Sequence, residues 1–384
     1  MSHSASAPIG IAGAGIGGLA AAIALARAGH DVVVFEQTKA FGRVGADINL
    51  TPNAVRALDG LGVGEAARVT AARPTHRISR LWDTGEETSR LPMGDEAERL
   101  YGAPQLTIHR ADLLAALTDA FGLERIRLGR RVQAIAEDAE GVTVSFEGGE
   151  SQRLSALIGA DGIHSAVRTA MFGPESPRFT GIVAYRAVVP ASKLEGVPNL
   201  QAFTKWWGPN PQSQIVTFPL NRGRDIFIFA TTPQDTWHLE SWTTQGSVEE
   251  LREQYADFHP DARALLAAVG EVLKTALYER DPMPTWSRGR MTLLGDAAHP
   301  MLPFMAQGAG MAIEDAVVLA RHLEGVDAAG LPHALERYEV ARRERTSRIQ
   351  LGSRGNQWLR EGGNADWVYG YDAWAVPLGT PAGA

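Results

Sequence analysis

Two short apolar runs near the start of the chain enclose a segment of small residues. The first run, Ile9 to Ala12, leads into a glycine-rich turn, and the second, Val32 to Phe35, ends on the acid Glu36. Apolar runs of this length, bounded by turns, are typical of buried strands, and the alanine-rich segment between them is long enough for a helix. The pattern predicts a strand, a turn, a helix and a second strand in that order.

Further along the chain the pattern divides into two kinds. Residues 76–100 and 179–232 alternate apolar and polar positions between turn residues, which predicts short antiparallel strands. Leu154 to Ile158 and Met291 to Leu294 are instead largely apolar runs, and each precedes a polar turn and a predicted helix. Buried strands followed by helices are typical of a parallel sheet.

The C-terminal part predicts helices and an aromatic tail. Residues 247–269 look helical, a long amphipathic helix ends near Leu323, and residues 331–352 form a helix dense in arginine and glutamate. We expect the charges of that last helix to form a solvated face with i,i+4 pairing. The aromatic side chains of residues 367–374 are expected to cover a core or a subunit contact.

Composition excludes several classes of protein. The 384 residues carry a formal net charge of -7, which argues against a nucleic-acid partner, and the chain is long enough for two domains. The absence of cysteine excludes disulfides and thiolate sites and is compatible with a cytoplasmic enzyme. The histidines are not spaced as metal ligands, and no apolar run approaches a membrane span. We therefore expect no metal and no membrane association.

The N-terminal turn has the spacing of a dinucleotide site. Gly13 permits a tight turn, Gly15 has no Cβ to block a pyrophosphate, and Gly18 lets the helix pack against the sheet. The positive end of the helix then faces the phosphates, and Glu36 is placed to accept hydrogen bonds from ribose hydroxyls. This motif alone allows either FAD or NAD(P).

Two later turns repeat the order of strand, polar turn and helix. Asp161 follows one buried strand and Asp296 the other, and backbone amides near Gly308 to Gly310 begin the next helix. Asp161 suits a ligand or the N-cap of its helix equally well. Arg43 and Arg110 are loop cations for which a cofactor contact and a surface position are both open. His299, beside Pro300, is expected to be structural.

These three motifs, in this order, resemble those of the FAD-dependent class A aromatic monooxygenases, the 4-hydroxybenzoate and salicylate hydroxylase family. Within it, residues 205–208, 300–308 and 367–372 look most like the 6-hydroxynicotinate 3-monooxygenases. The resemblance implies an α/β fold, with a Rossmann-like FAD-binding domain of the glutathione-reductase type and an inserted antiparallel-sheet substrate domain. It also implies C-terminal helices. It assigns residues 1–75, 101–178 and 276–350 to the FAD-binding domain, 76–100 and 179–275 to the substrate-binding domain, and 351–384 to a C-terminal aromatic tail.

The same resemblance implies how an extended FAD would bind. Its pyrophosphate would lie at the glycine turn and its adenosine ribose at Glu36, while Arg110 and Asp296 would hold the ribityl and pyrophosphate region. The Asp161 segment would serve both FAD and the nicotinamide donor, NADH or NADPH. The expected cofactor-binding residues are Gly13, Gly15, Gly18, Glu36, Gln37, Arg43, Ala46, Arg110, Asp161, Asp296, Gln307, Gly308, Ala309, Gly310 and Met311.

The implied reaction hydroxylates a small electron-rich aromatic or hydroxypyridine carboxylate, with or without decarboxylation. NAD(P)H reduces the flavin, O₂ adds at C4a, and the hydroperoxide transfers an OH to the ring. The protein keeps the intermediate dry and stabilises a phenolate-like oxygen. We expect a monomer or a homodimer.

The expected substrate pocket departs from that of close relatives. Asn49, Gln214 and Phe304 stand where relatives tend to carry histidines, and Phe218 stands where they carry tyrosine. Gln214 and Phe218 share one strand face by alternation, so they would line the pocket together, with Pro303 beside Phe304. Asp47 replaces the usual small residue near the flavin.

Three alternatives stay open. A flavoprotein without turnover would be yellow but show no substrate-stimulated NAD(P)H oxidation. An NAD-dependent dehydrogenase would be colourless. The third alternative is a relative with another substrate: a salicylate-type hydroxylase would act on a different ring, and an epoxidase or reductase of the same superfamily would have an apolar pocket.

Overall fold

The computed structural model describes residues 7–43, 47–237 and 244–379. Within these ranges it contains strands and helices in alternation, followed by a helical C-terminal part. The strands are β1 (Ile9–Ala12), β2 (Val32–Glu36), β3 (Ile48–Leu50), β4 (His76–Leu81), β5 (Glu87–Pro92), β6 (Leu106–Ile108), β7 (Ile126–Leu128), β8 (Val132–Glu137), β9 (Val142–Phe146), β10 (Ser151–Leu154), β11 (Ala156–Gly159), β12 (Arg178–Pro190), β13 (Phe203–Trp207), β14 (Gln214–Leu220), β15 (Asp225–Pro233), β16 (Leu273–Glu279) and β17 (Met291–Leu293). The helices are α1 (Ile16–Arg27), α2 (Pro52–Gly60), α3 (Gly64–Thr70), α4 (Gly94–Tyr101), α5 (Arg110–Phe121), α6 (Ala166–Phe172), α7 (Val248–Gln254), α8 (Pro260–Ala267), α9 (Gly308–Leu323), α10 (Leu331–Gly355) and α11 (Asp366–Tyr369).

A five-stranded parallel sheet forms the first layer. Its strand order is β17-β11-β1-β2-β7, and each neighbouring pair is parallel. The strands at its centre are buried on both faces, as the apolar runs predict. α1 is rich in alanine and glycine, and it packs against both this sheet and α9. Its small side chains allow the two helices to approach closely.

A seven-stranded sheet forms the second layer, in the order β16-β12-β15-β14-β13-β4-β5. All its pairs are antiparallel except β4 with β13. Side chains on one face pack against α7 and α8, while those on the other face form an apolar cluster with Leu302 and Phe304. We call this second face the inner face. The smaller sheets are β8-β9-β10 and the pair β3-β6.

The structure confirms the mixed architecture, with one parallel sheet and a separate, largely antiparallel one. One local prediction needs correction. Residues 94–101, expected within a strand region, form α4, because acids occupy its first turn and Gly102 adopts the left-handed conformation that ends a helix. Residues 247–269, predicted to be helical, form two helices, α7 and α8, and the second begins at Pro260.

The charges of α10 are the largest departure from expectation. Arg342 and Arg345, predicted on a solvated face, are buried and make ion pairs with acids of α9. The residues spaced three and four apart on this helix, from Leu335 through Tyr338 to Ile349, are all buried, and the two arginines lie on the same stripe. The aromatic tail covers a core, which is one of the two roles expected of it. Tyr369 is buried in that core.

Candidate active site

The three predicted ligand turns meet at one edge of the parallel sheet. β1, β11 and β17 are adjacent and parallel, so the turns that follow them lie side by side. A Cβ built on Gly13 would stand 2.5 Å from the carbonyl oxygen of Ala160, which shows how closely the first two turns approach. A Cβ on Gly295, in the third turn, would stand 3.0 Å from the Cβ of Ala312 in α9. The edge therefore collects two helix N-termini and two acidic turns.

The start of α1 is open to a ligand. No side chain caps this helix, and no acid lies in its first turn, so its first backbone amides point outward without a side-chain acceptor. A Cβ on Gly15 would have no atom within 4 Å, whereas one on Gly18 would overlap the carbonyl oxygen of Gly13. Gly15 thus leaves the space that a pyrophosphate needs, and Gly18 allows the turn to close.

Glu36 is held in place by backbone amides. Its Oε2 accepts a hydrogen bond from Ala14 N at 2.9 Å, and its Oε1 accepts one from Thr38 N at 2.8 Å. Each carboxylate oxygen keeps a second lone pair for another donor. The side chain is therefore oriented beside the glycine turn while it retains the capacity to bind ribose hydroxyls.

Three charged side chains surround the next part of the cleft. Asp296 is exposed, yet the protein around it desolvates the carboxyl and raises its pKa, while His299 and Arg110 oppose that rise. Burial raises the pKa of Asp47 to about 6, against the attraction of Arg186 and Arg110. Arg110, exposed at the start of α5, thus acts on both acids. Because Asp296 is both accessible to solvent and desolvated by the protein around it, we infer that it lies in a recess.

Asp161 serves its own helix. Its carboxylate accepts hydrogen bonds from the hydroxyl of Ser165 and from the backbone nitrogens of Ala166 at 2.8 Å and Val167 at 3.2 Å. Burial raises its pKa, and these hydrogen bonds lower it in part. The carboxylate thus shapes the turn beside Gly13 and accepts hydrogen bonds from the first amides of α6, whose N-cap is Ser165. A contact between Asp161 and a ligand stays a prediction.

The remaining loop candidates lie at the rim. Arg43 is 64% exposed at its side chain and forms an ion pair with Asp112 at 2.6 Å. Gln37 is exposed after β2. Ala46, a predicted flavin contact, lies outside the described residues.

Gln307 supports the start of α9 from beneath. Its side chain is completely buried: Nε2 donates to Thr51 Oγ1 at 2.8 Å, and Oε1 accepts from Asn53 Nδ2 at 3.1 Å. No side chain caps α9, so the backbone amides of Gly308 and Ala309, both half-buried, have no side-chain acceptor. Gly310 and Met311 are buried and belong to the packed part of the helix. The first turn of α9 is a second positive helix end at this cleft.

A buried ionic network below α9 escaped the sequence prediction. Arg342 Nε lies 2.7 Å from Asp315 Oδ1, and Arg345 Nε lies 2.8 Å from Glu314 Oε2. His299 Nε2 lies 2.6 Å from Asp315 Oδ2, which ties the third turn to α9. Burial alone would raise the pKa of Asp315, but His299 and Arg342 lower it to about 2. One feature of the sequence could have revealed this network: both arginines fall on the apolar stripe of α10, which predicts that they are buried.

The predicted pocket residues lie on or near the inner face. Gln214, Phe218 and Phe304 are buried, and Phe218 and Phe304 belong to the same apolar cluster. Asn49 on β3 accepts a hydrogen bond from Gln105 at 2.8 Å, while its Nδ2 is buried without a partner. Pro303 is exposed beside Phe304. Three of the five predicted residues, Gln214, Phe218 and Phe304, thus lie at one face of the sheet. Asn49 adds an amide donor without a partner on β3.

In residues 7–43, 47–237 and 244–379, no group of three or more histidine, aspartate or glutamate side chains is arranged to hold a metal ion. The helices in this part of the chain include none that is both long and apolar enough to cross a membrane.

Comparison with known proteins gives consistent matches. A family model described as an FAD binding domain matches residues 6–351. The chain is 40% identical over 370 residues to a 6-hydroxynicotinate 3-monooxygenase of Bordetella bronchiseptica, covering 96% of each chain. It is 39% identical over 351 residues to a 3-hydroxybenzoate 6-hydroxylase of Polaromonas naphthalenivorans, covering 90% of this chain and 86% of the relative. A solved structure of a salicylate hydroxylase substrate complex has a TM-score of 0.83 at 28% identity, covering 96% of this chain and 97% of the other.

Proposed function

Because the chain belongs to the family of FAD-dependent aromatic monooxygenases, we propose that it hydroxylates a small hydroxylated aromatic or hydroxypyridine carboxylate, using NADH or NADPH and O₂. The observation that carries this proposal is the convergence of three strand ends and two uncapped helix N-termini on one cleft, next to an aromatic sheet face. We assign residues 1–75, 101–178 and 276–350 to an FAD-binding domain of the glutathione-reductase type, and 76–100 and 179–275 to the substrate domain.

The residues present fit FAD. The open space at Gly15 and the free amides of α1 suit a pyrophosphate, and Glu36 suits the adenosine ribose. Asp296 and Arg110 line the recess where the ribityl chain would run. The amides of Gly308 and Ala309 at the start of α9 suit the polar edge of the flavin ring. Bound FAD supplies the capacity to accept hydride from a nicotinamide and to activate O₂.

The chain's own groups would bind and orient the ring. Phe218 and Phe304 provide apolar walls that exclude water, and the side-chain amide of Gln214 provides a polar group on the same face. The unpartnered Nδ2 of Asn49 would donate a hydrogen bond to an oxygen of the substrate or the flavin. Such a donor stabilises negative charge that develops on a ring oxygen, which is what electrophilic hydroxylation requires.

The pocket differs from one built around histidines. With amide and apolar groups at Asn49, Gln214, Phe218 and Phe304, no imidazole at these positions removes a proton from the substrate. We therefore propose a substrate whose ring hydroxyl is acidic enough to lose its proton without a histidine base. This proposal does not single out 6-hydroxynicotinate.

The test is a panel of hydroxybenzoate-type and hydroxypyridine-type acids with the FAD-loaded protein. NAD(P)H consumption, peroxide release and product mass would be followed together for each acid. We expect at least one acid to stimulate NAD(P)H oxidation and to gain one oxygen atom. Stimulated oxidation with stoichiometric peroxide and no hydroxylated product for every acid would refute the proposal, and a protein that binds no flavin would point to a dehydrogenase.

A further inference from the structure

The inner face carries two buried cations that have no acidic partner. Lys205 on β13 is 3% exposed and Arg77 on β4 is 4% exposed. Among the described residues, no carboxylate lies within ion-pair distance of either group. Burying an unpaired charge is costly, so such a pair is rare unless something else supplies the counter-charge.

Strand register places both cations on the pocket side of the sheet. Arg77 pairs with Phe203 across β4 and β13, and Lys205 follows Phe203 by two residues, so all three point to one face. Phe203 stacks on Phe218 with ring centroids 5.5 Å apart. The cations therefore lie beside a wall of the predicted substrate pocket.

Aromatic rings and an amide hold the two groups in place. Lys205 Nζ lies 3.6 Å from the ring centroid of Trp207 and 5.8 Å from that of Phe304. The guanidinium of Arg77 lies 4.8 Å from the Phe203 centroid and 5.1 Å from the Trp358 centroid. Cation–π contacts orient these groups without neutralising them.

Asn356 connects Lys205 to Gln214. Its Oδ1 accepts a hydrogen bond from Lys205 Nζ at 2.5 Å, and its Nδ2 donates to Gln214 Oε1 at 3.2 Å. Arg77 Nη1 is buried without a hydrogen-bond partner. A third cation, Arg360, lies 5.6 Å from the Trp207 ring, half-buried. The site thus offers donors and positive charge but no carboxylate.

We propose that Lys205 and Arg77 form the subsite that binds the carboxylate of the aromatic substrate, with Asn356 positioning the ammonium. This inference rests on the proposed function and adds to it the location of the anionic group. A carboxylate here would supply the missing counter-charge and leave the ring between Phe218 and Phe304. Burial, with Arg77 and Arg360 nearby, lowers the pKa of Lys205 well below its usual value, and a bound anion would reverse that effect.

The experiment compares two unreactive probes, benzoate and benzamide, which differ in charge but hardly in shape. Binding to the FAD-loaded protein is followed by the change in flavin absorbance, with no NAD(P)H present, so the result does not depend on turnover. We expect benzoate to bind more tightly than benzamide. In Lys205→Met and Arg77→Met this preference should fall by about 10- to 100-fold, because each variant loses a charged hydrogen-bond donor. Lys205→Arg should retain it.

Lys274→Met is the matched control. Lys274 is 8% exposed on the same sheet but pairs with Glu250 at 2.6 Å, among residues that pack against α7 and α8. Its replacement should leave the ratio of benzoate to benzamide affinity unchanged. Without ligand, Lys205→Met should melt no lower than the native protein, because it removes an unpaired buried charge. An unchanged affinity ratio in Lys205→Met and Arg77→Met would overturn the subsite, whereas failure of hydroxylation with the ratio intact would overturn only the proposed function.

Discussion

His299 Nε2 lies 2.6 Å from Asp315 Oδ2, and both side chains are completely or almost completely buried. The contact joins the turn that carries Asp296 to the helix whose N-terminus opens on the same cleft. Gly295 N also donates to Asp315 Oδ2, at 3.1 Å. One carboxylate therefore fixes two parts of the candidate flavin site relative to each other, and the structure places His299 in that buried contact, as expected of a structural residue.

Replacing Arg342 should destabilise the protein strongly. Arg342→Met would leave Asp315 and Glu314 buried with less positive charge, and breaking a buried pair in this way costs about 3–5 kcal/mol. The measurement is the free energy of unfolding in denaturant. Arg337→Met is the control on the same helix: Arg337 is exposed, and its replacement should change the unfolding free energy by less than about 1 kcal/mol. Equal losses in the two variants would contradict the role given to the network.

Asp47 should make the flavin-free protein less stable as pH rises. Its pKa in the fold is about 6, above the ordinary 3.8, so between these pH values the folded chain holds a proton that the unfolded chain has released. Stability from this group is therefore complete below about pH 4 and is lost by about pH 6, with an upper limit of about 3 kcal/mol.

The test compares unfolding free energies of native protein and Asp47→Asn from pH 4 to pH 7. The difference between the two should change with pH only in this window. Asp119→Asn, which alters an exposed aspartate on α5, serves as the control and should follow the native profile. A pH-independent difference for Asp47→Asn would show that the carboxyl is not desolvated.

Gln307 should matter for both folding and flavin binding. Gln307→Leu removes the hydrogen bonds to Thr51 and Asn53 at a completely buried position, which should lower the unfolding free energy by about 1–3 kcal/mol. Because Gln307 precedes α9, we also expect weaker FAD binding in a fluorescence titration. The exposed Gln201→Leu should change neither quantity. Full FAD affinity in Gln307→Leu would separate this side chain from the cofactor site.

The sequence was most informative where one local pattern determines the structure. The glycine turn, both acidic turns and the strands before them are contiguous segments, and the structure places all three at one sheet edge. Alternation along residues 214–218 likewise placed Gln214 and Phe218 on one face. In each case a period of two, or a turn that only glycine tolerates, leaves few alternatives.

The sequence was least informative where the partner of a side chain lies far along the chain. Arg342 and Arg345 look like solvated charges until α9 supplies Glu314 and Asp315, about thirty residues earlier. The hydrogen bonds of Asp161 to the first amides of α6 likewise depend on the folded geometry of that turn and helix. The lack of an acidic partner for Lys205 also could not be predicted from the sequence, because it depends on which side chains the folded sheet brings close to it.

Gly15→Glu should give a folded protein without flavin. The backbone of Gly15 has a φ of -74°, which any residue adopts, and a Cβ there meets no atom within 4 Å, so the variant should fold. Its carboxylate would occupy the space for the pyrophosphate and repel it. We expect a flavin-free preparation with native far-UV circular dichroism. Gly270→Glu introduces the same charge at an exposed glycine where a Cβ also meets no atom within 4 Å, and this variant should remain yellow. A fully yellow Gly15→Glu protein would mean that the pyrophosphate does not lie at the start of α1.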